Sequence, residues 1–342
     1  MKLELQPYLD AVEAELRQAL PEGEPATAPL DRMMQYHMGW LDPDLKPSDA
    51  PRGKRLRPLM CLLACEATGG TWHQALPAAC AIELIHNFTL LHDDIEDRSA
   101  MRRHRATVWS LWGIAQGINT GDAMWAAARL ELSRLAEQGH AAEVVLRVAR
   151  LLDETCLELC RGQYLDIAFE KAATVAVPQY ERMIAGKTAA LLAASLASGA
   201  ILGGASEPAI AAYRAFGHEL GFTFQITDDI LGIWGDPTST GKSAASDILT
   251  KKKTLPILYA LQWEREHGLS DLAHTYTQVT LSPSDVPAVL SLLERAGALL
   301  YARRRAEEHL KHTLTHLQCT QITHPAQDAL RELALSLVCR SA

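Results

Sequence analysis

Two stretches hold most of the side chains that could do chemistry: Leu90 to Asp97, LLHDDIED, and Phe224 to Gly232, FQITDDILG. Each sets adjacent aspartates at the end of an apolar, helix-compatible run, and the first adds Glu96 and Asp97 within the next turn. On a helix Asp93 and Asp97 stand at i and i+4 on one face, with Asp94 about 100° round. Four acids in five residues repel one another unless something positive sits among them. Hard oxygen donors of this kind suit magnesium, which takes one or two carboxylates, its own waters and a substrate phosphate. Cations for the remaining phosphate oxygens are close in sequence. Arg52, Lys54, Arg55 and Arg57 fall within six positions, and RSAMRRHR, Arg98 to Arg105, follows the first acids directly. Lys54 as a point charge and Arg57 as a planar fork would form an anion site at a helix mouth, while a solvated basic loop explains the same run. Arg102 and Arg103 beside carboxylates are what a metal diphosphate complex requires, although a surface helix start would also account for them.

The elements that position these groups read as helices. An amphipathic first helix within residues 1–20 is followed by a loop and a second helix around Leu30 to Gly39. A turn-rich basic segment then stops at Pro58 ahead of an apolar helix, Leu59 to Thr68. Pro77 to Asp97 carries Glu83, His86, Phe88 and Thr89 before its acids, with His86 two turns below Asp93 on roughly the same face, either a core histidine or a phosphate contact. NTGD, Asn119 to Asp122, is expected to break a helix or open the next, with Asp122 as its N-cap. A helix from Glu154 ends in RGQYLD at Asp166, and YERMIAGKT leads through Lys187 and Thr188 into a small-residue helix, Ala189 to Ala205. The second acid run is stopped by Gly235, Asp236 and Pro237. With Glu83 and Glu219 at similar offsets before the paired aspartates, the two runs resemble a weak internal repeat. Both helices would then point negative dipole ends at their acids. After a lysine-bearing loop, Leu258 to Leu337 reads as several amphipathic packing helices.

Composition narrows the class. Across 342 residues, 48% are hydrophobic, strand-like alternation is scarce and nothing resembles a linker, so one all-α domain spanning 1–342 is expected. A net charge of −8 argues against a nucleic-acid partner for the chain as a whole. Seven cysteines without CxxC pairs read as core thiols in a reducing cytoplasm. Ala189 to Ala205 is apolar but short and rich in Ser and Gly, which favours a close-packed central helix over a membrane span.

Taken in order, GKRLRP, HDDIED with paired arginines after it, GQYLD, GKT, FQITDD with GD after it, and KKTLP resemble the motifs of trans-isoprenyl diphosphate synthases over Gly53 to Pro256. The resemblance implies an all-α isoprenoid synthase bundle around a deep central cavity, usually a homodimer, with its two acid motifs facing one another. It also implies head-to-tail prenyl transfer, in which an allylic diphosphate ionises, isopentenyl diphosphate attacks the cation and a proton is lost. Carried over position by position, Asp93, Asp94, Asp97 and Asp228 would hold magnesium, three ions in all with the allylic diphosphate. Asp229 and Lys187 would join them in catalysis. Lys54, Arg57, His86 and Arg103 would bind the diphosphate of isopentenyl diphosphate. Arg102, Lys187, Gln225, Lys242 and Lys252 would bind the allylic diphosphate, with Thr188 beside the cation.

Two positions depart from the pattern: Gly232 stands where a last aspartate is common, which puts metal affinity at that wall in question, and His104 replaces a glycine. Phe88 and Thr89, five and four residues before Asp93, would form the floor that limits product length. One aromatic there, without an insertion in the motif, resembles geranylgeranyl-forming members; farnesyl diphosphate is the alternative product. A terpene cyclase needs only one diphosphate and has no use for Lys54, Arg57, His86 and Arg103 together. A non-catalytic synthase subunit would be expected to lose acids or arginines. A His/Asp phosphohydrolase suggested by His92-Asp93 lacks further histidines at helix spacing.

Overall fold

The computed structural model describes residues 3–48, 50, 53–235, 245–278 and 280–338. Its elements are helices apart from one short hairpin. They are α1 (Gln6–Ala19), α2 (Ala28–His37), α3 (Leu56–Ala67), α4 (Leu76–Glu96), strands β1 (Met101–Arg102) and β2 (Arg105–Ala106), α5 (Val108–Trp112) and α6 (Ile114–Ser133). The chain continues through α7 (Ala142–Lys171), α8 (Val177–Ile184), a π-helical turn (Ala185–Ala189), α9 (Ala190–Leu202) and α10 (Glu207–Trp234). It ends with α11 (Ser246–Leu249), α12 (Leu255–Glu266), α13 (Asp271–Thr277), α14 (Val286–Arg295), α15 (Ala298–Cys319) and α16 (Pro325–Val338). Two compact units are present: Met1–Cys156 with Ala194–Ala211 and Ile322–Leu330, and Leu157–Ala193 with Ala212–Gln321 and Arg331–Ala342.

In the first unit α4 packs on α6 at very short range, and glycines make that possible. A Cβ on Gly121 would fall 2.3 Å from His92 Nε2, and one on Gly117 would fall 2.8 Å from Ile95 Cδ1. NTGD therefore lies inside α6 and neither breaks a helix nor caps one; its glycine serves helix contact. The small-residue segment behaves as expected, since a Cβ on Gly199 would sit 2.0 Å from Cys61 O of α3. Val177–Leu202 is long and apolar enough to cross a membrane, but 78% of its most apolar window is buried within the protein.

Pro58 does not precede α3 but sits in its first turn, where the N–H it lacks has no helical partner anyway. The basic run 98–105 forms a hairpin, not a helix start. Arg103 and His104 take left-handed φ values of 50° and 62°, as a type I′ two-residue turn demands. That is the backbone reason a glycine would suit position 104. Arg105 anchors the hairpin by donating to Tyr36 O at 3.0 Å and Leu41 O at 2.7 Å.

In the second unit α7 runs five residues past Asp166, so RGQYLD is not its end. Gly162 and Gly186 let α7 touch the π-helical turn backbone to backbone; a Cβ on Gly162 would lie 2.1 Å from Lys187 N. Gly221 of α10 meets Ala189 in the same way, at 2.4 Å from its Cα. Around these contacts Tyr180, Ile184, Phe222, Ile226, Leu255 and Ala302 form one core cluster. A second cluster gathers Ile233, Ile248, Ile257, Leu272 and Val289. α10 continues to Trp234, so only the first acid motif stands at a helix C-terminus. Asp236 and Pro237, read as its stop, lie outside the described residues, as do Arg52, Lys242 and Cys339. The other six cysteines are free, with Cys61, Cys65 and Cys80 buried as expected but Cys160 and Cys319 exposed.

Candidate active site

α4 delivers its acids at its last turn, with Asp97 as the C-cap residue donating its N–H to Asp93 O at 2.9 Å. The helix dipole adds negative charge there, which makes a nearby cation necessary. The hairpin supplies it: Arg102 Nε donates to Asp94 Oδ1 at 2.7 Å, and its Nη2 lies 3.6 Å from Asp93 Oδ2. Asp94 is only 2% exposed. Burial raises its pKa to about 6, against the lowering effect of Arg102 and with Asp93 and Asp97 pushing the same way as burial. Asp94 and Arg102, expected to serve metal and diphosphate separately, thus bind each other. Half-buried Asp93 and exposed Asp97 are the outward pair on one helix face.

Arg57, His86 and Arg103, three of the four side chains expected at the isopentenyl site, come together beside α4. Arg57 in the first turn of α3 brings Nη1 to 3.4 Å from His86 Nε2. Burial lowers the His86 pKa, and Arg57, Arg103 and Arg102 lower it further, so the imidazole is neutral and able to donate one N–H. Arg103 folds over Gly53, whose missing side chain leaves the room: a Cβ there would be 2.9 Å from Arg103 Nη2. Lys54 next to it is exposed. Arg55, which no role was assigned, is structural; it pairs with Glu83 at 2.7 Å and Glu13 at 3.3 Å. Phe88 lies edge-on to His92 at 5.9 Å between ring centroids, and Thr89 Oγ1 donates to His86 O. His92 faces Ile118 O and Asp122, with no second histidine beside it among the described residues.

One residue here escaped the sequence reading. His37, at the end of α2, lines a cleft with Asp94, Arg102, Arg103 and Arg105, and its Nε2 is shut off from solvent without a hydrogen-bond partner. Burial, then Arg102 and Arg103, lowers its pKa to about 3. Nothing in YHMGW points to it, because its neighbours in the cleft come from α4 and the hairpin.

In the second unit the π-helical turn sets Lys187 and Thr188 side by side. Lys187 Nζ donates to Asp166 Oδ2 at 2.5 Å, and Thr188 Oγ1 donates to Gln225 Oε1 at 2.8 Å. Gln225 Nε2 passes the chain on to Asp229 Oδ1 at 3.1 Å. Asp229 also accepts from Tyr180 and from Leu255 N at 2.9 Å. Burial raises its pKa to about 6, with Lys252, Tyr180, Leu255 N and Gln225 all opposing. Asp229 is therefore an interior organiser of this wall, and Asp228 is the member of the pair with access to solvent. Partial desolvation works against the Lys252 ammonium, but Asp229, Asp166, Asp247 and Asp228 outweigh it and raise its pKa. Lys253, by contrast, caps α7 by donating to Phe169 O at 2.5 Å and to Ala172 O. The supposed repeat partners differ in use: Glu83 holds Arg55 and Asn87, while Glu219 faces His309 Nδ1 at 2.7 Å.

The donors in each unit fit magnesium. Asp93 and Asp97 in the first unit, and Asp228 in the second, offer hard carboxylate oxygens, and each unit has its own cationic side chains, Arg102 beside Asp93 and Lys252 beside Asp228.

A family model for polyprenyl synthetase matches residues 41–293. The chain is 39% identical over 351 residues to the geranylgeranyl diphosphate synthase of Mycobacterium tuberculosis (strain ATCC 25618 / H37Rv), covering 97% of this chain and 96% of that one. It is 38% identical over 334 residues to the (2E,6E)-farnesyl diphosphate synthase of Mycobacterium bovis, covering 96% and 90%. The crystal structure of geranylgeranyl pyrophosphate synthase from Corynebacterium glutamicum, complexed with isoprenyl diphosphate and magnesium, is similar at a TM-score of 0.84 and 28% identity, over 99% of this chain and 100% of that one. With its helices, its two acid motifs and its cation clusters arranged as described, the chain belongs to the polyprenyl synthetase family and is a prenyltransferase.

Proposed function

We propose that the protein condenses isopentenyl diphosphate head to tail with an allylic diphosphate and releases a short all-trans prenyl diphosphate, geranylgeranyl diphosphate being the main product. The observation that carries this reading is the separation of jobs in the first unit. Asp93 and Asp97 offer carboxylates at the end of α4 for a metal, while Arg57 stands 3.4 Å from His86 and Arg103 folds over Gly53 next to exposed Lys54, which supports a second anion site that needs no metal. An enzyme that binds a single diphosphate has no need of the second set.

Asp93 with Asp97, and separately Asp228, are the candidate ligands for magnesium, which when bound would neutralise charge developing on the leaving diphosphate; we assign three ions. Lys187, Lys252 and Gln225 hold the allylic diphosphate, with Arg102 kept in place for the same task by Asp94. The allylic C1–O bond breaks, leaving a carbocation and a diphosphate. The double bond of isopentenyl diphosphate supplies the electron pair for the new C–C bond. The resulting cation then loses a proton from the adjacent carbon, restoring an alkene, and the released diphosphate accepts that proton. Thr188 lies beside the first cation. Positioning and preorganised charge supply the rate, with no covalent enzyme intermediate.

Phe88 and Thr89 set the product length by blocking the growing tail one turn below the acids. Relatives named for farnesyl and for geranylgeranyl products match almost equally well, so farnesyl diphosphate is the second reading. A homodimer is supported by exposed Ile114, Ile118 and Trp125 on α6. Cytoplasmic residence belongs to the same reading, supported by the free surface thiols of Cys160 and Cys319. The test is to incubate the protein with magnesium, isopentenyl diphosphate and each allylic diphosphate in turn, then size the products by mass spectrometry. A C20 diphosphate supports the reading and a C15 diphosphate moves the floor upward. A cyclic hydrocarbon, or no elongation, removes prenyl chain extension.

A further inference from the structure

Glu219 lies well away from the acid motif on its own helix. It precedes Asp228 on α10 by about 13 to 14 Å of helix and sits on the opposite side of the axis. What surrounds it is histidine. His309 Nδ1 of α15 stands 2.7 Å from Glu219 Oε2, His312 Nδ1 stands 3.6 Å from the same oxygen, and His218 Nδ1 stands 3.7 Å from Oε1. One donor atom from each of Glu219, His309 and His312 lies within 4.8 Å of the other two. All of these residues belong to the second unit.

Local structure explains how they meet. His309 and His312 are three apart on α15 and so share a face. The His309 ring stacks on Phe222 with 4.7 Å between centroids, and Phe222 is one turn on from Glu219 along α10. The His309 and Glu219 side chains are 12% and 19% exposed, whereas His312 is 62% exposed, so the group has a fixed floor and a side open to an entering ion. Burial works to raise the Glu219 pKa, but hydrogen bonds with His218 and His309 outweigh it and hold the carboxyl well below its usual range. An anionic oxygen therefore stands between two imidazoles at neutral pH.

A hydrogen bond from His309 accounts for the shorter distance but not for His312, which is too far from Oε2 to donate to it. A metal ion accounts for both. Around four-coordinate zinc, with bonds of about 2.0–2.1 Å, neighbouring donor atoms stand about 3.3 Å apart. The 2.7 Å and 3.6 Å distances to Oε2 fall on either side of that value. Two imidazole nitrogens and one carboxylate oxygen suit borderline metals such as zinc, not magnesium. We propose that Glu219, His309 and His312 bind a transition-metal dication of the zinc type, with water in the fourth position and His218 orienting the carboxylate. The ion ties α15 to α10 as a structural clamp. It is separate from the magnesium ligands and independent of the prenyl-transfer reading.

The test uses the full chain stripped of metal by a chelator, with accessible thiols blocked by iodoacetamide and excess magnesium present to occupy the aspartates. Zinc binding is read by competition with a chromophoric indicator, and cobalt binding by visible absorption. The parent binds one zinc per chain, and cobalt gives the intense visible bands of a four-coordinate site without a thiolate charge-transfer band. His312→Ala, on the open side, weakens zinc binding by at least about tenfold and abolishes those bands. Saturating zinc raises the melting temperature of the parent and not of this variant. Asp93→Ala and Asp228→Ala bind zinc as the parent does. Absence of zinc binding in the parent overturns the proposal, as does unchanged affinity in His312→Ala. Loss of zinc binding in either aspartate variant overturns it too, because the ion would then sit at an acid motif. Should His312→Ala fail to fold, His312→Gln decides by the same readings.

Discussion

Asp93 and Asp94 are adjacent in sequence and opposite in fate. A rotation of about 100° between neighbours on α4 buries Asp94 against Arg102 Nε and leaves Asp93 half-buried at the edge of the same guanidinium, 3.6 Å from its Nη2. Replacing Asp93 with alanine removes a proposed metal ligand while leaving the buried Asp94–Arg102 pair intact. Turnover is expected to fall by at least about a hundredfold, with the melting temperature nearly unchanged. A steady-state rate close to the parent's would take the first motif out of the mechanism. Phe88 makes a different kind of claim, because it touches no charge. Phe88→Ala should lengthen the products by one or more isoprene units at similar turnover, read by mass spectrometry of the released diphosphates. Unchanged length would move the floor to another side chain.

At the scale of elements, what decides the site is how closely helices approach, and glycines set that distance. Gly162 is the clearest case, since α7 lies against the turn that carries Lys187 and Thr188. Gly162→Ala would force the two backbones apart, costing about 1–3 kcal/mol by overpacking. Because the displaced segment carries Lys187, the Michaelis constant for the allylic substrate should rise together with the loss in melting temperature; a stability loss alone would mean the turn repacks without moving Lys187. A second element-level test lies between α1 and α6, where Arg134 Nη1 bridges Glu15 at 2.9 Å and Glu131 at 2.8 Å. Burial, then a hydrogen bond with Glu15, raises the Glu131 pKa to about 7 against the pull of Arg134. Between the usual glutamate range and neutrality the folded chain holds a proton that the unfolded chain has released. Stability therefore falls as pH rises through that window, by on the order of a few kcal/mol, and Glu131→Gln should flatten this slope in pH-dependent thermal melts. The sequence displayed the acids, the basic runs and nearly every helix, because periodicity and local spacing carry them. It misplaced NTGD and RGQYLD because a glycine within a helix reads as a break until its neighbour is known. It could not sort Asp93 from Asp94, or find His37, because what sets them apart comes from partners distant in sequence.

For the whole molecule the open matter is what covers α6. Its buried positions, Gly117, Thr120, Gly121, Met124 and Ala128, line one side of the helix, much of it turned toward α4. Ile114, Ile118 and Trp125 fall on another side at offsets of four and seven, within about 40° of one another, and they are 55%, 45% and 42% exposed. A lone surface leucine needs no explanation, but an aligned apolar stripe marks an interaction surface. A second copy of the chain, meeting it through a two-fold axis, would bury the same stripe twice. A tryptophan at such a position typically contributes about 2–4 kcal/mol, so Trp125→Glu should weaken a dimer by a factor of roughly 30 to 1,000. Sedimentation velocity at micromolar concentration would then change from dimer to monomer while helical content stays constant. If Trp125→Glu sediments as the parent does, α6 is not the interface, and the stripe must be assigned to some other partner.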